Sequence, residues 1–183
     1  MSEWERLSSE IIFEHPYLKI GEDRVRLPDG KEIDYITFLD RPDFVTIIPI
    51  LPSGKILMTK EHAYPINEPI LQFSEGECDS GESVEHASER EFFEETGYKA
   101  DEFKLIGSVL TYHRRSEAMQ RVVVATGVSW HSEPRGDGIE QGIETLEMTD
   151  KEISSAVAKG VIFQANALAA WSVYKAVISE SNA

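Results

Sequence analysis

The feature that most restricts this fold is an acidic run, residues 75–95, which holds nine acidic side chains and a single arginine. These residues carry more than half of the chain's net charge of −15. Residues 83–96, which include most of the run, are predicted to form an α-helix that ends at Gly97, because glycine is favoured where a helix closes in a left-handed conformation. The fold must therefore accommodate a strongly acidic helix.

Three glutamates of this helix, Glu91, Glu94 and Glu95, are spaced to lie on one side of it. Val84 and Ala87 lie on the same side, so the carboxylates continue an apolar stripe instead of opposing it. Carboxylates at this spacing repel one another, and a divalent cation such as Mg²⁺ or Mn²⁺ would offset the repulsion because it prefers oxygen ligands. From the residues alone, a metal site and a solvated acidic face are both open interpretations.

The rest of the chain predicts an α+β fold with a mixed sheet between helical layers. Alternating residues around the turn at residues 28–30 indicate an antiparallel β segment over residues 8–40. We therefore divide the chain into an N-terminal β segment, residues 1–42, and a second domain, residues 43–183. Further strands are predicted over 44–50, 55–60, 70–73, 104–112 and 120–128, and further helices over 150–159 and 164–178.

Composition excludes several classes of function. The excess of 33 acidic over 18 basic residues disfavours sequence-blind nucleic-acid binding, which relies on clustered Lys and Arg. No apolar run approaches the roughly 18 residues that a membrane span needs, and the N-terminus lacks the features of a signal peptide. The one cysteine, Cys78, cannot form an intrachain disulfide. We expect a cytoplasmic protein that binds neither nucleic acid nor a membrane.

The spacing of residues 76–98, GECDSGESVEHASEREFFEETGY, resembles the Nudix box, G-x5-E-x7-R-E-U-x-E-E-x-G-U, in which U is a bulky apolar residue. Phe92 fills the first U, and Tyr98 at the last U is a mild departure. The residues that match the fixed positions are Gly76, Glu82, Arg90, Glu91, Glu94, Glu95 and Gly97. The N-terminal segment is similar to the front half of ADP-ribose and nucleotide-sugar pyrophosphatases of the Nudix superfamily, so the resemblance covers most of the chain.

This resemblance implies a Nudix-type α/β/α sandwich that binds Mg²⁺ or Mn²⁺ and hydrolyses the diphosphate of nucleoside diphosphate sugars. Arg90 would hold the glutamates in place, and Glu82 would be a supporting partner or an occasional ligand. The implied metal ligands are Glu91, Glu94, Glu95 and the main-chain carbonyl of Glu75. Arg90 and Glu94 are also counted among the catalytic residues.

The resemblance also implies a general base, which relatives draw from a mobile loop well after the box. We predict Glu140 for this role, because Gly138 and Gly142 flank it and allow the loop to close. Glu144 and Glu117 are the alternatives. For each of the three glutamates, a solvated loop acid without a role is the competing interpretation.

Substrate contacts are expected outside the acidic helix. Tyr35 follows the turn at a position where relatives often place an aromatic that stacks on a nucleobase, and Trp4 is a second candidate. Arg114 and Arg115 lie in a loop where a phosphate or ribose could be held, and Gly76 of the box is counted with them. A core aromatic and solvated arginines are the competing interpretations. Relatives pack the N-terminal segment across a two-fold axis, so we expect a homodimer.

Three departures from ADP-ribose pyrophosphatases affect substrate contacts and leave the metal ligands unchanged. Those relatives typically carry a glutamate and then Pro-Ala before the box glycine, whereas this chain has the run Gln72-Phe73-Ser74-Glu75. Ala63 stands where they often have an arginine. No proline occurs between Pro69 and Pro134, the stretch that includes the loop after the box. We therefore predict a broader nucleoside diphosphate sugar hydrolase.

Two other functions stay open. One is a hydrolase that removes dinucleoside polyphosphates or damaged nucleoside triphosphates, and the long β-rich N-terminal segment counts against it. The other is an inactive Nudix-like domain that binds a nucleotide and regulates another process. The presence of every box glutamate counts against that second function.

Overall fold

The computed structural model of the chain describes residues 3–134 and 142–181. These residues form two units. The first unit comprises residues 3–42 together with Tyr112–Ala118, and the second holds the other described residues. No helix within the described ranges is both long and apolar enough to cross a membrane.

The first unit contains a three-stranded antiparallel sheet, which agrees with the predicted β segment. At the second turn, the N–H of Leu27 donates to the carbonyl of Lys31 at 2.8 Å. Gly30 closes this turn with a φ of 84°, a conformation that residues with a Cβ rarely adopt. Neighbouring strands in the sheet are neighbours in sequence, in the order β1 (Glu5–His15), β2 (Leu18–Arg26) and β3 (Glu32–Leu39).

The second unit is built around a mixed sheet. Its strands are β4 (Phe44–Pro49), β5 (Ile56–Ala63), β6 (Glu68–Gln72), β7 (Ser74–Glu77), β8 (Tyr98–Lys99), β9 (Glu102–Leu110), β10 (Met119–Thr126), β11 (Ser129–Trp130) and β12 (Glu144–Met148). Its helices are α1 (Val84–Thr96), α2 (Asp150–Ala158) and α3 (Ala165–Ser181). The main sheet has the order β7-β4-β10-β9, in which β4 and β10 are parallel. A second, antiparallel sheet has the order β12-β5-β6, and β8 pairs with β11.

Strand β4 separates two apolar cores, because successive side chains of a strand point to opposite faces of the sheet. Val45 and Ile47 pack on one face with Phe92 of α1. Ile48 packs on the other face with Trp171 of α3, in a core that α2 also enters. Helices therefore cover both faces of the sheet, which confirms the predicted α+β class.

Candidate functional site

Helix α1, which carries the acidic residues, is fixed at both ends. Its N-cap, Ser83, accepts a hydrogen bond from the N–H of His86 at 3.2 Å. At the other end Gly97 has a φ of 72°. A Cβ on this glycine would lie 1.8 Å from the carbonyl oxygen of Ser132, so only glycine fits here. Because both ends of α1 are fixed, the direction in which each glutamate leaves the helix is fixed as well.

The acidic residues of α1 lie at different depths. Glu91 and Glu95 are buried, with 8% and 3% of their surface exposed. The side chain of Glu94 is 45% exposed, and Glu89 is on the solvent side of the helix. Two carboxylates therefore continue the buried face of the helix, as the helical spacing predicted, while a third lies at its margin.

Arg90 holds several of these carboxylates. Its Nε and Nη2 donate to the two carboxylate oxygens of Glu82 at 3.1 and 2.9 Å. Its Nη1 donates to Glu91 at 2.7 Å, and Nη2 also donates to the carbonyl of Glu77 at 3.0 Å. The pairing with Glu94 that the helical spacing indicated is the longest of these contacts, at 3.5 Å.

These contacts make Glu82 a firmly held anion. Hydrogen bonds from Arg90 lower the pKa of Glu82 to about 2, although its desolvation acts in the opposite direction. The N–H of Asp79 also donates to this carboxylate, at 2.9 Å, and His86 Nδ1 lies 2.7 Å from it. In turn, the hydrogen bond with Glu82 raises the pKa of the Arg90 guanidinium above its usual value. The pair stays charged across the physiological pH range.

Gly76, the first residue of the box, lies directly against the Glu91 carboxylate. A Cβ at this position would be 2.0 Å from Cδ of Glu91, so any side chain here would displace the carboxylate. Gly76 is held in β7 by pairing with Val45 of β4. The main chain at Gly76 and the buried carboxylate of Glu91 are therefore so close that a Cβ does not fit between them. We call this contact the Gly76 cradle.

This donor set has the chemistry that a hard divalent cation requires. Carboxylate oxygens and main-chain carbonyls are the ligands of Mg²⁺ and Mn²⁺, and here the carboxylates project from one rigid helix beside the Gly76 cradle. Within residues 3–134 and 142–181, no three side chains of His, Cys, Asp or Glu are arranged so that together they could hold a metal ion. Arg90 stands among Glu82, Glu91 and Glu94 and balances part of their charge. The residues fit a divalent cation by donor type.

A second polar cluster surrounds the side chain of Glu75. Its carboxylate accepts hydrogen bonds from Gln164 at 3.0 Å, from Asn166 at 3.3 and 3.2 Å, and from the Thr46 hydroxyl at 3.4 Å. The pKa of Glu75 is raised, because desolvation outweighs these neutral donors. Gln164 and Asn166 were not among the residues predicted from the sequence. Thr46, a polar residue inside an apolar strand, was the available signal.

The candidate general bases are distributed over the chain. Glu140 lies outside the described residues. Glu144 begins β12, and its carboxylate is 3.3 Å from Nζ of Lys60. Glu117 is exposed and belongs to the first unit.

Most of the predicted substrate-binding residues lie in the first unit, whereas Gly76 lies in β7 of the second unit. The hydroxyl of Tyr35 donates to the main-chain carbonyl of Arg114 at 2.8 Å. Cζ of Arg115 lies 5.2 Å from the centre of the Tyr35 ring, and Trp4 meets that ring edge-on at a centroid distance of 5.9 Å. Arg115 therefore covers one face of Tyr35, while Trp4 is 56% exposed.

The chain matches two protein-family models. Residues 40–170 match the NUDIX domain. Residues 4–35 match the nucleoside diphosphate sugar hydrolase N-terminal domain. The first match covers most of the second unit, and the second lies within the first unit.

Individual proteins are similar over nearly the whole chain. The ADP-ribose pyrophosphatase of Bacillus subtilis (strain 168) is 26% identical, over 87% of this chain and 85% of the relative. The methanol dehydrogenase activator of Bacillus methanolicus is 24% identical, over 90% of this chain and 88% of the relative. The crystal structure of an ADP compounds hydrolase has a TM-score of 0.87 at 20% identity and covers 99% of this chain and 97% of its own. That last similarity establishes the fold.

Proposed function

Because residues 40–170 match the NUDIX domain, the chain belongs to the Nudix family, and we propose that it hydrolyses nucleoside diphosphate sugars, ADP-ribose among them. Water would cleave the pyrophosphate bond to give a nucleoside monophosphate and a sugar phosphate. The observation that carries the proposal is the burial of Glu91, which pairs with Arg90, and of Glu95, because a solvated acidic helix would leave such carboxylates exposed. The family match confirms the family that the box predicted.

We propose that the acidic face of α1 binds Mg²⁺ or Mn²⁺. A bound cation would supply positive charge that balances the diphosphate and polarises its phosphoryl oxygens. Arg90 keeps Glu82 ionised and orients the carboxylates of both Glu82 and Glu91 through its hydrogen bonds. The proposed ligands are Glu91, Glu94, Glu95 and the main-chain carbonyl of Glu75, with Glu82 as their support.

A substrate panel tests this function. ADP-ribose, other nucleotide sugars, dinucleoside polyphosphates and nucleoside triphosphates are each incubated with the protein and Mg²⁺, and phosphate release is measured after phosphatase treatment. We expect the highest kcat/KM with nucleotide sugars. A higher kcat/KM with dinucleoside polyphosphates or with triphosphates would show that these compounds, and not nucleotide sugars, are the substrate class. Tight nucleotide binding without hydrolysis would instead identify a regulator.

For the general base we propose Glu140, which stands between Gly138 and Gly142 in the sequence. Glu140→Gln should lower kcat by about 10²–10⁴-fold and change KM little, because a general base acts in the chemical step. Glu144→Gln is the matched control, since Glu144 already pairs with Lys60 on the second sheet. If the large loss occurs in Glu144→Gln and not in Glu140→Gln, the two roles are exchanged.

We propose that the first unit binds the nucleotide and forms a homodimer. Tyr35, Trp4, Arg114 and Arg115 offer aromatic and cationic groups suited to a base and a phosphate. The acidic excess and the single cysteine support a cytoplasmic enzyme that acts on free nucleotides.

Strand β1 supports the homodimer because it is exposed along its length and presents Ile11, Ile12 and Phe13, each 49–54% exposed. A second copy of the chain could cover this strand. Light scattering at micromolar concentration should give twice the mass of one chain. Phe13→Ser should shift that mass towards one chain, whereas Tyr64→Ser, at an exposed aromatic of the second unit, should not. A wild-type protein with the mass of one chain would contradict the dimer.

A further inference from the structure

Glu75 occupies the position just before the box glycine, and its side chain is tied to two other elements. Thr46, one of its donors, is its direct Cα partner on the neighbouring strand β4. The other donors belong to the start of α3, where Gln164 precedes the helix and Asn166 is in its first turn. The carboxylate therefore links strand β7 to a helix that lies about ninety residues further along the chain.

Gln164 is the centre of this link. Its Nε2 donates to Glu75 at 3.0 Å and to Oε1 of Gln72 at 3.0 Å. Its Oε1 accepts from the N–H of Ala167 at 2.7 Å, which caps the N-terminus of α3. Gln72 is itself buried, with 3% of its surface exposed, and donates to Glu61 at 2.8 Å. Because both ends of the Gln164 amide are engaged, the amide cannot turn without losing a partner.

The charge of Glu75 is held without a cationic side chain among the donors, which are two amides and a hydroxyl. Burial of a carboxylate is costly unless hydrogen bonds replace its hydration. Four contacts to neutral donors and the favourable dipole at the start of a 17-residue helix partly offset that cost. An apolar side chain at position 75 would avoid this cost. The benefit of the carboxylate must therefore come from the strand and the helix that it holds in place.

We propose that Glu75 is a positioning residue for the metal site: its carboxylate, anchored on Gln164 and Asn166, fixes the main chain at the start of the box. That main chain includes the carbonyl proposed as a ligand, and it leads directly into Gly76, which lies against Glu91. The inference rests on the proposed function, because it concerns the geometry of the proposed site. Groups that orient metal ligands without touching the metal change affinity or activity by about 10–100-fold.

The test measures Mn²⁺ binding to the full chain by isothermal titration calorimetry, together with hydrolysis. Glu75→Ala and Asn166→Ala should each weaken Mn²⁺ binding by about tenfold. The double variant should bind no more weakly than the weaker single variant, because both changes remove the same link. Glu75→Gln keeps the size and one acceptor oxygen and should restore most of the affinity.

Lys175→Ala provides the control on the same helix. Lys175 pairs with Asp150 at 2.7 Å, so this variant loses an α3 contact without touching Glu75 and should bind Mn²⁺ as the wild type does. If Glu75→Ala does not fold, Asn166→Ala and Glu75→Gln carry the test, with weakened binding expected only in the first.

Three outcomes overturn the inference. Wild-type Mn²⁺ affinity in the single variants, or losses that add in the double variant, would remove the positioning role and leave the proposed function intact. A wild-type protein that hydrolyses no substrate of the panel would remove the proposed function, and the inference with it.

Discussion

Two clusters of carboxylates in the second unit are held in opposite ways. On the α1 side, the guanidinium of Arg90 donates to both oxygens of Glu82. On the α3 side, the carboxylate of Glu75 is held by the amides of Gln164 and Asn166. Both clusters lie beside strand β7, but one has a permanent cation at its centre and the other has neutral donors.

This difference reverses the effect on the pKa. Hydrogen bonds from a cation lower the pKa of Glu82 to about 2, whereas desolvation dominates at Glu75 and raises its pKa. Glu61, which accepts a hydrogen bond from Gln72, also has a raised pKa because of desolvation. A count of acidic residues therefore does not say which carboxylates are firmly ionised; their donors decide it.

The largest expected effect is on the α1 side. Glu94→Gln removes a charged proposed ligand and should lower kcat by about 10²–10³-fold, the usual cost of losing one charge-stabilising group from an ordered site. The fold should survive, because the side chain is 45% exposed and its contact with Arg90 is long, at 3.5 Å. Hydrolysis of ADP-ribose at saturating Mg²⁺ measures the effect.

Glu89→Gln is the matched control for Glu94→Gln. It makes the same change of charge on the exposed side of the same helix and should leave hydrolysis unchanged. Mg²⁺ should also raise the melting temperature of the wild type more than that of Glu94→Gln, because binding stabilises the folded state by mass action. Activity of Glu94→Gln close to that of the wild type would exclude Glu94 as a ligand.

The next effect concerns stability and its dependence on pH. Arg90→Gln should lower the unfolding free energy at pH 7 by about 2–3 kcal/mol, because it leaves partly buried carboxylates without their charged donor. A lowered folded-state pKa contributes stability that is present above the unfolded pKa near 4.5 and is lost as the pH falls towards about 2. Urea unfolding from pH 3 to 7 should therefore show the two proteins converging below pH 4.5. Curves separated by a constant amount would assign the stabilisation to packing.

The α1 side could be predicted from the sequence because its determinants are local. The Ser83 cap, the glycine at the helix end and the spacing of Glu91 and Glu95 all lie within one short segment. The close contact of Arg90 with Glu82 could not be predicted, because Glu82 lies in the loop before the helix, eight residues away from Arg90. Helical spacing alone favours a partner on the helix itself.

The α3 side could not be predicted, because its contacts are distant in the sequence. Glu75 and Asn166 are 91 residues apart, and their pairing depends on how α3 packs against the sheet. The grouping of residues 112–118 with the N-terminal sheet has the same origin, since the N–H of Phe38 donates to the carbonyl of Arg115 at 2.6 Å. Periodicity assigns a residue to a face of its own element and does not identify the residue that meets it there.

The smallest expected effect tests the opposite pKa shift on the α3 side. A carboxylate whose folded-state pKa is raised stabilises the fold below the unfolded pKa near 4.5, and that contribution is lost as the pH rises through the folded-state value. Glu75→Gln removes this titration, so its unfolding free energy should increase relative to the wild type as the pH is raised from about 4 to 7. Urea unfolding at intervals across this range measures it, with Glu89→Gln as the control for loss of an exposed charge. A difference between Glu75→Gln and the wild type that does not vary with pH would show that Glu75 has the same pKa in the folded and unfolded states, so that its neutral donors fully offset its desolvation.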